Sequence, residues 1–181
     1  MRTGKTTIAR RLVDALHTSV LSTDDVIEML KDGAPQLKIH GDMDPTARYA
    51  LLQPFLDGLV RARTESGQPL VIEGDAFSPQ WAARCRDEHP NEVRACFVGE
   101  LTIDPALKRR YMREHTAAHG GWLADESPET YDWAVRRILE IGRENELACA
   151  ELGIPFFDMG AAFDDAVERV VEFLTSPCGT E

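Results

Sequence analysis

The sequence predicts an α/β fold, a parallel sheet with helices on both faces. Three observations point to it. Short β-rich runs alternate with longer amphipathic stretches, the order that builds βαβ units. Three of the four runs stop at or just before a glycine, namely Gly74, Gly99 and Gly160. The chain has 181 residues, 43% of them hydrophobic, enough for one domain with a real core.

The elements follow in order. Residues 5–16 carry Ile8, Leu12, Ala15 and Leu16 at helical spacing. Thr18–Ser22 is the first strand candidate. A helix over 24–31 follows, with Val26, Ile27 and Leu30 on one face. Residues 32–45 read as loop. A helix over 46–63 carries Tyr49, Leu52, Leu56, Leu59 and Val60. Pro69–Glu73 is the second strand and Val93–Val98 the third. Asp104-Pro105 places an N-cap before a proline at the first helical position, and Ser127-Pro128 repeats that signature. The second of these opens a long helix with Ala134, Ile138, Ile141 and Ala148 on one face. Residues 116–127 read as loop. Ile154–Asp158 is the fourth strand, with Pro155, Phe156 and Phe157 in the core, and a last helix spans about 164–174.

Charge and cysteine content narrow the function classes. Twenty basic against 31 acidic residues give a net charge of −11. A broad basic face for nucleic acid is therefore not expected, although a local basic cluster could hold a small phosphorylated ligand. No apolar run approaches the roughly 18–20 residues of a membrane span. Cys85, Cys96, Cys149 and Cys178 are far apart, with no C-x-x-C pair. That spacing fits reduced thiols in the cytoplasm better than a disulfide framework or a zinc site.

The first residues carry the main chemical motif. Gly4-Lys5-Thr6 is the second half of G-x-x-x-x-G-K-[ST], and a helix follows it as the motif requires. In such a loop backbone N–H groups and the helix N-terminus cradle phosphate oxygens. The lysine reaches the β/γ-phosphates and the hydroxyl binds Mg²⁺. Taken alone, Gly-Lys-Thr also reads as an ordinary helix start. The first glycine of the pattern, and the strand that feeds it, fall ahead of Met1. The expectation is that the first, central strand is missing from this chain, and that the natural protein begins roughly 8–15 residues upstream, a strand plus a loop.

Four segments together carry a resemblance: Gly4-Lys5-Thr6-Thr7; Ser22-Thr23-Asp24-Asp25 after the first strand run; Val71-Ile72-Glu73-Gly74-Asp75 at the end of the next; and the basic stretch Lys108-Arg109-Arg110-Tyr111-Met112-Arg113. With these the chain resembles a P-loop kinase of the nucleoside-monophosphate-kinase group. It is similar to shikimate, gluconate and adenylylsulfate kinases and to 2-phosphoglycerate kinase-like proteins. The resemblance implies a three-layer P-loop NTPase fold over residues 1–181 as one domain, with a small helical lid near 109–127. It also implies ATP at the phosphate loop, a substrate pocket over the strand ends, and transfer of the γ-phosphoryl group to a small-molecule acceptor.

The residues then take roles. Gly4, Lys5, Thr6 and Thr7 are expected to bind nucleotide, with Thr6 on Mg²⁺. Asp24 is expected to orient or deprotonate an acceptor hydroxyl, whereas Asp25 serves its helix. Glu73, after Leu70-Val71-Ile72, resembles an acid that organises Mg²⁺. Asp75 is a candidate on the substrate side, and Gly74 would let backbone approach a ligand. Arg109 and Arg113 are expected to neutralise the transferring phosphoryl group, as lid arginines do in such kinases. The competing account is a solvated basic face pairing with Glu114. His115, His119, Gly120, Gly121 and Trp122 fall in the lid, and His40, Asp42, Asp44 and Arg48 form a second polar group beside the substrate side. Asp158 and Met159 would lie at a strand end near the adenine. Two other functions stay open: a nucleotide-binding NTPase or switch without a small acceptor, and a catalytically incomplete P-loop remnant.

Overall fold

A computed structural model describes residues 3–40, 43, 45–119 and 123–176. Asp42, Asp44, Gly120, Gly121, Trp122 and Cys178 lie outside them, as does the side chain of His119. Among the described residues the chain runs α1 (Lys5–Leu16), β1 (Ser19–Ser22), α2 (Thr23–Gly33), a 3₁₀ turn (Pro35–Leu37), α3 (Pro45–Ser66), β2 (Leu70–Glu73), α4 (Pro79–Glu88), β3 (Phe97–Gly99), α5 (Pro105–His119), α6 (Pro128–Leu152), β4 (Phe156–Asp158) and α7 (Phe163–Thr175).

Local sequence explains most boundaries. The Ser22 and Ser127 hydroxyls accept hydrogen bonds from Asp24 N and Thr130 N, which caps α2 and α6. Asp104 accepts from Leu107 N at the start of α5. Gly153, in the left-handed region at φ 63°, ends α6. Helix α4 is not foreseen in the sequence reading, yet Ser78-Pro79 carries the same cap-then-proline signature and Ser78 accepts from Trp81 N. Helix α5 continues through His119, so residues 116–119 of the expected loop are helical.

The strands form two parallel pairs. β1 pairs with β2 from Ser19–Leu70 to Ser22–Glu73, and β3 pairs with β4 from Phe97–Phe156 to Gly99–Asp158. Among the described residues no ladder joins the two pairs, so the single sheet expected from sequence is observed as two two-stranded halves. The third strand is also shorter than Val93–Val98, because residues 93–96 have no ladder.

The core is divided in the same way. Val26, Ile27 and Leu30 of α2 pack on Leu52 and Leu56 of α3. Ile8 and Leu12 of α1 pack on Ala166, Val167 and Val170 of α7. Met112 of α5 packs on Leu123 and on Tyr131, Ala134 and Ile138 of α6. Ala83, Cys149 and Ile154 form a fourth group. A compact domain usually has one contiguous core; among the described residues this one has four clusters, set around a cleft. Leu52 is fully buried. Leu52→Ala should cost about 2–5 kcal/mol of unfolding free energy, read by urea denaturation.

Candidate nucleotide and acceptor site

Helix α1 begins at Gly4, whose φ of +89° puts it in the left-handed region. A Cβ there would lie 2.7 Å from a ring carbon of Phe163 and 3.4 Å from the methyl of Met159. Both the backbone angle and the close approach therefore require glycine. The first turn of α1 has no acidic residue and no side-chain cap, so its amides are open toward an anion.

Lys5 opens that turn. Its Nζ donates to Asp75 Oδ1 at 2.8 Å across 70 residues of sequence. This contact brings the start of α1 to the carboxyl end of β2, where ligands bind in open parallel α/β sheets. Both side chains are half-buried, 19% and 30% exposed. Burial pushes the Asp75 carboxyl up, but neighbouring positive charge, led by Lys5, outweighs it and holds the group at about 2.

Lys5, Asp24, Glu73 and Asp75 all line one cavity, together with Arg48 and Tyr49. Arg48 and Tyr49 project from α3, and the Arg48 Nε is buried without a hydrogen-bond partner among the described residues. Burial pushes the Tyr49 hydroxyl up, and the nearby Asp75 charge adds to the effect. In the sequence Tyr49 stands out only as an apolar helix position, and Asp75, not Glu73, is the acid that meets Lys5. The sequence signal for Asp75 was its place next to Gly74, which turns the chain at φ +147°. Gly74 allows a close approach, but to Thr23: a Cβ there would lie 1.7 Å from the Thr23 hydroxyl. That hydroxyl is buried and has no partner among the described residues.

Other candidates lie elsewhere. Thr6 and Thr7 are exposed on the first turn of α1. Asp24 and Asp25 both sit in the first turn of α2, and Asp24 alone of the two lines the cavity. His40 and His115 are exposed. The basic stretch is not one surface face. Lys108 is buried, its Nζ 2.5 Å from the buried carboxylate of Glu100. Arg109 is ion-paired with Asp132 of α6. The Arg113 guanidinium stands 5.2 Å from the ring centroid of Tyr131. Arg110 is exposed, 3.6 Å from Glu114. Neither Arg109 nor Arg113 is among the residues lining the cavity, and in this arrangement both fasten α5 to α6.

Asp158 is used structurally. It accepts from Leu101 N at 2.9 Å, Thr102 Oγ1 at 2.7 Å and Gly160 N at 2.9 Å. Burial alone would raise its carboxyl, but these donors hold it below its ordinary value. Met159 is buried in the α1–α7 core. Burial pushes the thiols of Cys85, Cys96 and Cys149 up to about 11, 12 and 11, which makes them poor nucleophiles. No helix among the described residues is long and apolar enough to cross a membrane.

The Asp75 shift has a pH signature. Its folded value of about 2 lies below the ordinary ~3.9. The stability it contributes is therefore complete above about pH 4 and is lost as pH falls toward about 2; it amounts to about 2 kcal/mol at most. Urea unfolding of wild type and Asp75→Asn should show a stability gap that is widest near about pH 5 and closes toward about pH 2. Separately, Gly74→Ala should lower stability by roughly 2 kcal/mol or more, through backbone strain and the collision with Thr23.

A family model described as AAA domain matches residues 3–88, a little under half of the chain, and so covers α1 to α4 with the Lys5–Asp75 corner. No curated protein matches the chain, and no solved structure does. Over residues 3–88 the chain is similar to a P-loop NTPase-like AAA domain, and its α/β architecture with parallel strands fits that fold.

Proposed function

We propose that this chain is an ATP-dependent phosphotransferase that moves the γ-phosphoryl group to a small-molecule acceptor. The observation that carries the reading is the open N-terminus of α1, with Lys5 beside it, facing a cavity that also holds Asp24, Glu73, Arg48 and Tyr49. The match to an AAA domain over the same residues supports a nucleotide at this corner. In this reading the chain is a single domain with a lid near 109–127, working in the cytoplasm.

The backbone of Gly4 to Thr7 and the Lys5 ammonium hold the β/γ-phosphates, and Lys5 exchanges Asp75 for phosphate oxygen when nucleotide arrives. Among the described residues no group of three or more His, Cys, Asp or Glu side chains forms a metal cage. That suits Mg²⁺, which keeps its waters and takes one or two protein oxygens beside the phosphates. Thr6 and Glu73 would hold it, with Asp24 helping through water. Bound there, Mg²⁺ neutralises charge on the phosphate oxygens. Asp24 accepts the proton of the acceptor hydroxyl. Arg48, with its unpartnered Nε, offers a cation to an anionic acceptor. Arg109 and Arg113 reach the transferring group when the lid closes, giving up Asp132 and Tyr131. Such transfer rests mostly on positioning and electrostatics, so few special residues are needed.

Lys5→Ala should lower phosphoryl transfer about 100-fold or more while circular dichroism stays unchanged. A screen of metabolites as acceptors, read by ADP release, measures it. Unchanged turnover would contradict the assignment. ADP release that no acceptor accelerates would favour the NTPase reading instead.

A further inference from the structure

The acceptor corner of the cavity carries two features that phosphoryl transfer itself does not require. The first is aromatic. Tyr49 of α3, Phe77 of the β2–α4 loop and Trp81 of α4 all line the cavity, and Asp75 lines it with them. Each also packs against the α2–α3 core, so all three are half-buried between core and cavity. The Phe77 and Trp81 rings stack, with centroids 5.3 Å apart and planes at 11°. The indole is held in place. Its backbone N–H donates to the Ser78 cap at 3.1 Å. Its Nε1 donates to Asp57 Oδ1 at 2.7 Å, an oxygen that Arg84 also holds at 2.7 Å. Tyr49 and Trp81 share a second, small void of about 20 Å³. The three rings are therefore neighbours and form one apolar wall, already set for a flat partner.

The second feature is a cation. Lys5 meets Asp75, Arg137 meets Glu140 and Glu144, Arg94 donates to the Phe173 carbonyl, and Arg63 donates to Gln68. No such partner holds Arg48 among the described residues: its Nε is buried and unpartnered. A buried donor of this kind calls for an acceptor from outside the chain. A single negative charge suits it best. Asp24, Glu73 and Asp75 line the same cavity, and a phosphate would add a charge of about −2 beside them. A carboxylate brings half that charge and fits the planar guanidinium fork.

We propose that the acceptor is a hydroxy acid bearing a flat apolar ring. Its carboxylate sits on Arg48, its ring lies against Tyr49, Phe77 and Trp81, and its hydroxyl points toward Asp24. The hydroxyl rests on the phosphotransferase reading above; the ring and the carboxylate are read from the wall and the guanidinium alone. An apolar wall with a few placed polar groups is how small-molecule sites fix orientation. A ligand lacking either group leaves one side of the site unfilled, so both are needed for tight binding.

The probe is phenyllactate, which has all three groups. Lactate lacks the ring, phenylethanol lacks the carboxylate, and phenyl phosphate puts a dianion in its place. Binding to the full chain without nucleotide is read from the Trp81 indole N–H signal by nitrogen-15 NMR, assigned with Trp81→Phe. Phenyllactate should bind about 10-fold or more tightly than lactate or phenylethanol, and more tightly than phenyl phosphate. Arg48→Gln should weaken it about 10-fold or more, and Phe77→Leu about 3-fold. Lactate binding as well as phenyllactate would overturn the ring, and tighter binding of phenyl phosphate would overturn the carboxylate. Both comparisons use the unaltered chain, so they decide even where a variant fails to fold. ADP release with Mg²⁺–ATP separates this inference from the reading it rests on. Phenyllactate that binds as expected but drives no ADP release supports the subsite and contradicts phosphoryl transfer to this class. ADP release driven by ring-free hydroxyl compounds alone supports phosphoryl transfer and overturns the inference.

Discussion

The contact between Lys5 and Asp75 organises this molecule. It ties the first turn of a helix to the end of a strand 70 residues away and sets a positive charge at an uncapped helix N-terminus. In a chain of net charge −11 it sets an ammonium at that corner, beside a half-buried carboxylate. Gly4 must be left-handed for the helix to start there, and Phe163 and Met159 close against it, so the α1–α7 core fixes the same point from the other side. The pair holds the ammonium beside the first-turn amides of α1. Half-buried pairs of this kind exchange partners at modest cost, because neither ion is fully desolvated.

Around that corner the architecture is two half-sheets, each covered by its own helices. α1 and α7 cover one side of the cleft, α4 and α6 the other. Helix α5 is held by contacts of unequal strength, one to the end of β3 and two to α6. Lys108–Glu100 is a buried ion pair and is costly to break. Arg109–Asp132 and Arg113–Tyr131 are more exposed and easier to exchange. Helix α5 therefore has a fixed root and more exposed outer contacts.

Much of this was legible in the sequence, and what was not has physical reasons. The α1 span of 5–16 was readable because apolar spacing and the Gly-Lys-Thr start agree. The starts of α5 and α6 were readable because Asp104-Pro105 and Ser127-Pro128 are chemical stop-and-start signals. Ser78-Pro79 carries the same signal, but α4 has few large apolar residues to mark its face. Strand lengths were overestimated at Val93–Cys96, because β propensity cannot report whether a ladder partner is present. Lys108 stands in the sequence among surface basic residues, and its charge masks its place in a buried stripe. Lys108, Met112 and Thr116 stand four residues apart and are all buried, so the stripe was present to be read. That Asp75 would meet Lys5 could not be read, because it depends on how Gly74 turns the chain.

The most direct test of the central claim is the titration of the Asp75 carboxyl by carbon-13 NMR in the 181-residue chain, with and without Mg²⁺–ATP. If polyphosphate takes Lys5 from Asp75, the midpoint near about 2 rises toward the ordinary carboxylate range when nucleotide is added. A midpoint that stays near about 2 at saturating nucleotide would contradict the account.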